Sequence, residues 1–295
     1  MKQTNHHSLK FCVGLFAKGC DGGLQFIWLD QTSGELTAGA RFGDGQVFYC
    51  AADLDCGYLY SFRASAFNQG SEPEELLAWK LGREASAPQL IGRQPTGGSG
   101  SCYLGLVPSG GPALIAHYGS SGLSAIPRQG SGELVAQSER WGRGLEGAGT
   151  HPERQREPHP HCYISAPLEE PSSMALYAAD LGSNRIWCDR YDVGTGSIAP
   201  AEQPYLELPP GSGPRHLALH PDGKWLYCLN ELSNSLAFFQ RDYRTGKLSY
   251  HGGVDTLPEG FGDDSFAGDL VVTPNGRFLF ASNRGHAGAF HLEEL

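Results

Sequence analysis

Two histidines, His159 and His161, stand two positions apart just before the strand-like run Cys162-Tyr-Ile-Ser. If that strand starts by His159, both imidazoles lie on one face, because successive side chains of a strand point to opposite faces. Two imidazoles on one face suit proton transfer or metal binding. A metal would need a further ligand from Asp180 or Glu231, and we expect proton transfer and no metal. The structural alternative is that one histidine only caps a sheet edge.

Arginines at three places could supply positive charge for an anionic ligand. Arg215, in Gly213-Pro-Arg-His216, precedes a strand-like run in the same way as His161 precedes its own. A guanidinium is permanently charged and grips a carboxylate or phosphate with a fork of donors. Together with Arg154 and Arg284, it could form a positive pocket. For a single arginine, an ordinary surface ion pair is the alternative.

Composition and charge exclude several classes of function. The 295 residues include 22 Lys and Arg against 32 Asp and Glu, which gives a formal net charge of −10 without any basic run. A general nucleic-acid binder would carry a basic face, so nucleic acid is not expected as a partner. No apolar stretch is long enough for a membrane span, so no membrane partner is expected either. The eight cysteines show no paired Cys-x-x-Cys spacing and the N-terminus does not resemble a secretory signal, so we expect reduced thiols and a cytoplasmic protein.

The elements that must position these groups are internal repeats. Three segments align with one another, and each reads as an aromatic-rich strand, a short polar turn and a second strand. Their first residues are Met174, Lys224 and Arg277. A proline-centred turn precedes each segment, and these prolines, 54 and 53 residues apart, are Pro167, Pro221 and Pro274.

A second marker has the same period. Turns of the form Ser/Thr-Gly-x-Leu/Ile occur at Gly34, Gly132, Gly196 and Gly246, and the last two are 50 residues apart. Strand pairs joined by Gly-rich turns and repeated at this spacing are typical of β-propeller blades. We therefore predict an all-β propeller of four-stranded blades, with a β-sandwich of coincidental turns as the alternative.

The repeat length does not give a whole number of blades. Dividing 295 residues by a repeat of 53 gives about 5.6, and the last clear repeat begins near Ala267. Either six irregular blades close into a ring, or the chain is the greater part of a larger ring. We predict the second: a single propeller domain over residues 1–295 that lacks its last blade.

One position varies between repeats while the apolar frame around it is kept. It lies where we expect each second strand to end, and its residues are Asp53, Tyr118, Asp180, Glu231 and Arg284. Equivalent positions of a propeller form a ring, so we expect a site there. Strand ends are often polar, which is the alternative. In two repeats the asparagine before this position is kept while the charge changes sign, from Asn230-Glu231 to Asn283-Arg284. A solvated turn has no reason to do this, so the pattern favours a site.

Several motifs resemble, in the same order, those of the bacterial propeller-type 6-phosphogluconolactonase family. They are Pro152-Glu-Arg-Gln, Pro158-His-Pro-His, Gly213-Pro-Arg-His, His220-Pro-Asp-Gly, Asn230-Glu-Leu-Ser-Asn and Ser282-Asn-Arg-Gly-His. The resemblance is good from Gly149 to His286 and weaker before. It implies a seven-bladed fold, of which this chain holds about six blades or fewer, and hydrolysis of 6-phospho-glucono-1,5-lactone in the pentose phosphate pathway. The family is also similar to fungal propeller enzymes that cyclise carboxymuconate.

The resemblance also implies roles for individual residues. In the fungal relatives a His, a Glu and two Arg form the site, which correspond here to His161, Glu231, Arg215 and Arg284. We expect His161 or Glu231 to act as general base and the arginines to bind the phosphate or the oxyanion, with Arg154 adding charge and with His159 and Asp180 orienting these groups. No nucleophile elbow is present, so neither an acyl-enzyme nor a cofactor is expected. A cycloisomerase, another sugar lactonase, and a non-catalytic scaffold are the alternatives.

Overall fold

The structure, a computed structural model, consists of antiparallel β-sheets. It describes residues 8–63, 74–82, 87–135, 139–142, 146–285 and 289–293. The N-terminal residues 1–7 and His286, both considered above, lie outside this part of the chain. Within it, no helix is long and apolar enough to cross a bilayer.

Twenty-two strands of the described residues form six sheets. The first sheet holds β1 (Ser8–Leu15), β2 (Gly23–Asp30) and β3 (Leu36–Phe42). The second holds β4 (Val47–Asp53), β5 (Tyr58–Arg63), β6 (Glu75–Lys80) and β7 (Gln89–Pro95). The third holds β8 (Ser101–Leu106), β9 (Ala113–His117), β10 (Gly122–Ile126) and β11 (Glu139–Gly142). The fourth holds β12 (Pro160–Pro167), β13 (Ser173–Asp180), β14 (Arg185–Asp192) and β15 (Ile198–Glu207). The fifth holds β16 (Pro214–Leu219), β17 (Trp225–Asn230), β18 (Ser235–Arg241) and β19 (Leu248–Asp255). The sixth holds β20 (Phe266–Val272), β21 (Phe278–Arg284) and β22 (Ala289–Glu293).

Each sheet is one blade of a β-propeller. Within a blade the strands follow one another in chain order, and the first strands β4, β8, β12, β16 and β20 contact each other in succession. Five apolar clusters fill the five spaces between successive blades. Second strands such as β13 are therefore buried along both faces, whereas the outer strand β15 is largely exposed. The all-β propeller expected from the repeats is confirmed.

The sequence markers map onto fixed places in the blades. The aligned repeats are the second and third strands of blades four, five and six, and the proline turns connect first strands to second strands. Gly196 and Gly246 lie between third and fourth strands, with φ of +73° and +78°. Gly34 occupies the same kind of turn between β2 and β3. The three strands of the first blade thus correspond to the second, third and fourth strands of the other blades.

The first strands share an irregularity near their beginning. The pairing of each with its second strand shifts register between Val47 and Tyr49, Ser101 and Tyr103, Pro160 and Cys162, Pro214 and His216, and Ala267 and Leu270. A β-bulge redirects side chains and is frequent beside functional sites. His161 and Arg215 are the bulged residues of blades four and five, so the sequence correctly placed them at equivalent points.

The structure corrects the position of Asp53. This residue ends β4, a first strand, and so lies at the opposite end of the propeller from Tyr118, Glu231 and Arg284. Its Oδ2 accepts a hydrogen bond of 2.9 Å from Arg128 Nη1, and Arg128 also bonds the carbonyl of Gly111. The error arose because the turn after Asp53 resembles the turn after Asp180, although the two join different strands.

Candidate functional site

The centre of the site is the carboxylate of Glu231, which forms ion pairs with three arginines and accepts hydrogen bonds from two of them, Arg154 and Arg215. Arg154 Nη2 lies 2.8 Å from Oε1, Arg284 Nη2 lies 2.9 Å from Oε1, and Arg215 Nε lies 2.9 Å from Oε2. The Glu231 side chain is only 3% exposed. Three cations around one anion leave an excess of two positive charges at one point of an acidic protein.

Three blades bring these groups together. Arg154 belongs to the segment between β11 and β12, Arg215 to the bulge of β16, and Arg284 to the end of β21. The backbone of Glu231 is fixed just after β17, because its N–H donates to Gly213 O at 2.7 Å and its carbonyl accepts from Ala267 N–H. The structure therefore brings Arg154, Arg215 and Arg284 together at one carboxylate.

The three arginines differ in exposure. The Arg215 side chain is 13% exposed, that of Arg154 30%, and that of Arg284 53%. Arg154 is further held by a hydrogen bond of 2.9 Å from its Nε to Tyr118 Oη. Arg284 is thus the guanidinium most open to a ligand.

His161 is a buried imidazole close to this charged cluster. Its ring lies 5.4 Å from that of His216 and 5.7 Å from that of Tyr118, and its Nδ1 has no hydrogen-bond partner among the described residues. Burial, and then the charge of Arg215, lower the pKa of His161 well below its usual value of 6.5. The ring is therefore neutral at neutral pH.

His159 lies beside His161 but is held differently. It precedes β12, which starts at Pro160, so the simple alternation expected for the two histidines does not apply. Its ring stacks on Tyr118 at 4.3 Å, and its Nδ1 is 2.8 Å from Tyr118 O. Burial raises the pKa of Tyr118, so this phenol stays protonated and accepts from Arg154. Tyr118 thus connects His159 to the arginine cluster.

Asp180, expected to orient groups of the site, is bound within its own blade. The residue is fully buried, and its Oδ1 accepts the backbone N–H groups of His159, Gly182 and Ser183. Its Oδ2 accepts the indole N–H of Trp187 at 3.0 Å. Both of its oxygens are thus occupied within the blade, and one of these bonds fixes the backbone of His159.

Two residues that the sequence analysis did not select complete the cluster. His216 Nε2 lies 2.9 Å from Arg215 Nη1, and His216 Nδ1 lies 2.6 Å from Asp269 Oδ1. Asp269 lies in the bulge of β20, the point equivalent to His161 and Arg215 in the preceding blades. Alignment of the inner strands, in addition to the second strands, would have pointed to it.

The chemistry that these groups offer is anion binding next to a neutral base. Among the described residues, no three His, Cys, Asp or Glu side chains are grouped so as to hold a metal ion. Guanidinium groups match the geometry of phosphate and carboxylate oxygens. A neutral imidazole beside these groups has one ring nitrogen without a proton, and this nitrogen can accept a proton from water.

Two bacterial proteins resemble the chain, one along most of its length and the other over about two fifths of it. The 6-phosphogluconolactonase of Bacillus subtilis (strain 168) is 29% identical over 277 residues, which are 93% of this chain and 74% of that protein. The 6-phosphogluconolactonase of Pectobacterium carotovorum subsp. carotovorum (strain PC1) is 39% identical over 116 residues, which are 39% of this chain and 34% of that protein. The chain therefore spans about three quarters of the first relative and matches about a third of the second.

Solved structures show the same fold. A protein of Bacteroides fragilis superimposes with a TM-score of 0.83 at 24% identity, covering 98% of this chain and 79% of that one. A periplasmic gluconolactonase of Pseudomonas aeruginosa gives a TM-score of 0.80 at 24% identity, with coverages of 94% and 76%. The family profile described as "Lactonase, 7-bladed beta-propeller" matches residues 10–292. The chain belongs to this lactonase family of seven-bladed β-propellers.

Proposed function

We propose that this protein hydrolyses 6-phospho-glucono-1,5-lactone to 6-phosphogluconate, a step of the pentose phosphate pathway. The observation that carries the proposal is the convergence of Arg154, Arg215 and Arg284 on Glu231 beside the neutral imidazole of His161. The excess of two positive charges suits a phosphate ester, which carries a charge of about −1.5 to −2 at neutral pH. The names of the bacterial relatives support a phosphorylated sugar lactone as the small-molecule substrate.

His161 is the general base of the proposed reaction. Water attacks the carbonyl carbon of the lactone while it gives a proton to the neutral imidazole. The bond from this carbon to the ring oxygen then breaks, the ring oxygen takes the proton held by His161, and the carboxylic acid formed releases its own proton to solvent to give the carboxylate. Glu231 is the less suitable base, because both of its oxygens already accept hydrogen bonds from guanidinium groups.

The arginines stabilise the negative charge of the substrate and of the tetrahedral intermediate. Positive groups that are already in place before the reaction lower the barrier, since they need no reorganisation as the charge develops. Arg284 is assigned to direct contact with the ligand because half of its side chain is open. Glu231 keeps the three guanidinium groups close together in spite of their mutual repulsion.

The test is a rate assay on the purified protein and an Arg284→Ala variant. 6-Phosphogluconate formation is followed as NADPH production by excess 6-phosphogluconate dehydrogenase, with the spontaneous rate subtracted. We expect turnover in the wild type and a loss of at least about tenfold in Arg284→Ala, because one guanidinium is removed from the anion site. Arg277→Ala is the matched control, since this exposed arginine lies at the other end of β21.

The same assay separates the alternative functions. A wild type that turns over carboxymuconate but not the lactone would be a cycloisomerase, and one that prefers unphosphorylated lactones would be another sugar lactonase. A folded protein without activity on any of these substrates would be a scaffold. Equal rates for the wild type and Arg284→Ala would remove Arg284 from the site.

A further inference from the structure

Asp269, His216 and Arg215 form a chain of hydrogen bonds that leads from the surface to the arginine cluster. A guanidinium nitrogen only donates, so His216 Nε2 must accept from Arg215 Nη1, and the ring proton must be on Nδ1. Nδ1 then donates to Asp269 Oδ1 at 2.6 Å. The identity of the partners alone therefore determines the tautomer of His216.

The charges of the chain fit this direction of donation. Burial lowers the pKa of His216, so the ring is neutral and its Nε2 lone pair is present. The hydrogen bond from His216 lowers the pKa of Asp269, which is a carboxylate at neutral pH. A protonated His216 would place an N–H opposite the Arg215 donor, and the contact between the two would be lost.

Other hydrogen bonds, besides the one to His216, also hold Asp269 in its orientation. Its Oδ1 also accepts the backbone N–H of Leu270 at 2.8 Å, and its own N–H donates to Ser282 Oγ at 2.9 Å. The neighbouring bulge residue Gly268 accepts from Arg215 Nη1 through its carbonyl. Both residues of the β20 bulge thus act on the same arginine, directly or through His216.

We propose that Asp269 is a positioning residue that, through His216, holds the guanidinium of Arg215 in place for the anionic substrate. The proposal rests on the proposed function. It adds the carboxylate of Asp269, which has no role in the steps of the proposed reaction. Arg215 Nε is bound to Glu231 and Nη1 to His216 and Gly268, whereas Nη2 has no hydrogen bond to any described residue. Fixing two of the three nitrogens leaves the third one oriented for a ligand.

A double-mutant cycle tests the coupling. Asp269→Ala should lower kcat/KM on the phosphorylated lactone by about tenfold in the wild-type background and by less than about twofold in Arg215→Ala, because its effect passes through Arg215. Asp269→Asn, which keeps an acceptor oxygen, should restore part of the loss. The Asp269 side chain is 76% exposed, so these changes leave the core intact. Equal losses in both backgrounds, or no loss, would overturn the proposal.

The matched control breaks a similar pair elsewhere. His220 Nδ1 lies 2.7 Å from Asp222 Oδ1 in the turn between β16 and β17, at the opposite end of the blade. Asp222→Ala should leave kcat/KM unchanged. A loss there equal to that of Asp269→Ala would mean that any such contact affects activity through stability, and it would overturn the proposal.

An NMR measurement tests whether Asp269 positions Arg215 and does not depend on enzymatic activity. The Nε–H signal of Arg215, assigned with Arg215→Lys, should exchange with solvent faster in Asp269→Ala than in the wild type, and Asp222→Ala should not change it. Unchanged exchange in Asp269→Ala would overturn the proposal. If the wild type hydrolyses no lactone, the proposed function fails, and this measurement alone decides whether Asp269 positions Arg215.

Discussion

At the level of single residues, the site depends on a buried carboxylate that holds three cations together. Glu231 is almost fully buried, and a buried charge is tolerated only when it is paired and hydrogen-bonded. The three arginines provide these partners, and Glu231 in turn reduces their repulsion. Removing Glu231 would therefore disperse the arginines as well as remove one charge, so its effect cannot be assigned to a single step.

The protonation state of His161 gives the first prediction. Its lowered pKa means that the ring stays neutral when the pH falls from about 8 to 6.5, where an ordinary histidine is half protonated. The ¹⁵N shifts of the His161 ring should therefore be those of neutral imidazole across this range. His161→Asn, which identifies the signals, should lower kcat by about a hundredfold or more, as expected for loss of a general base.

The opposite behaviour would contradict the assignment of His161. If the ring signals report half protonation near pH 6.5, burial and Arg215 do not control its charge. If His161→Asn keeps wild-type kcat while the wild-type ring signals are those of a neutral group, His161 is a structural residue and the base lies elsewhere.

At the level of elements, the start of β16 is the part most sensitive to substitution. Gly213 has a φ of +63°, and a Cβ there would meet Leu232 Cγ at 2.5 Å. Gly213→Ala should cost about 2 to 5 kcal/mol, the sum of left-handed strain and overpacking. Urea unfolding measures this cost. The kcat/KM should fall too, because Gly213 precedes the bulge that carries Arg215.

The control for Gly213 is another glycine of the same conformation in open space. Gly196 has a φ of +73°, and a Cβ there would meet no atom within 4 Å, so Gly196→Ala should cost only the strain of about 1 to 2 kcal/mol. It lies between β14 and β15, away from the arginines, and should leave kcat/KM unchanged. Equal costs for both variants would show that the contact with Leu232 does not restrict the β16 start.

The sequence predicts the presence of the strands and turns better than it predicts which side chains come together at the strand ends. The repeats and turn glycines indicate the blades, because strand pairs and turns are encoded locally. The position of Asp53 could not be read correctly, since a four-residue turn looks the same whether it joins first to second or second to third strands. Asp269 was missed for another reason: the repeats that align clearly are second and third strands, whereas Asp269 lies in the bulge of a first strand, at the point equivalent to His161 and Arg215. The convergence of three arginines on Glu231 depends on how three blades pack, which no local pattern contains.

At the level of the whole molecule, the positive site lies within an acidic protein. The formal net charge of −10 repels an anion at long range, but this repulsion is screened beyond about 10 Å at moderate salt. Close contacts with Arg154, Arg215 and Arg284 are screened much less because they are partly buried. We therefore expect binding of a phosphorylated product to depend on the cluster. We also expect this binding to stabilise the propeller, because the cluster forms only when the blades are packed against one another.

The last prediction follows from this coupling. 6-Phosphogluconate at a concentration about 100 times its Kd should stabilise the folded wild type by about 2.7 kcal/mol, because it binds the assembled site and not the unfolded chain. Thermal or urea unfolding with and without the product measures this gain. Gluconate, which lacks the phosphate, should stabilise less at the same concentration. Arg284→Ala should lose most of the gain and Arg277→Ala should keep it. Equal stabilisation of both variants would place the phosphate away from the cluster, even in a protein that hydrolyses the lactone.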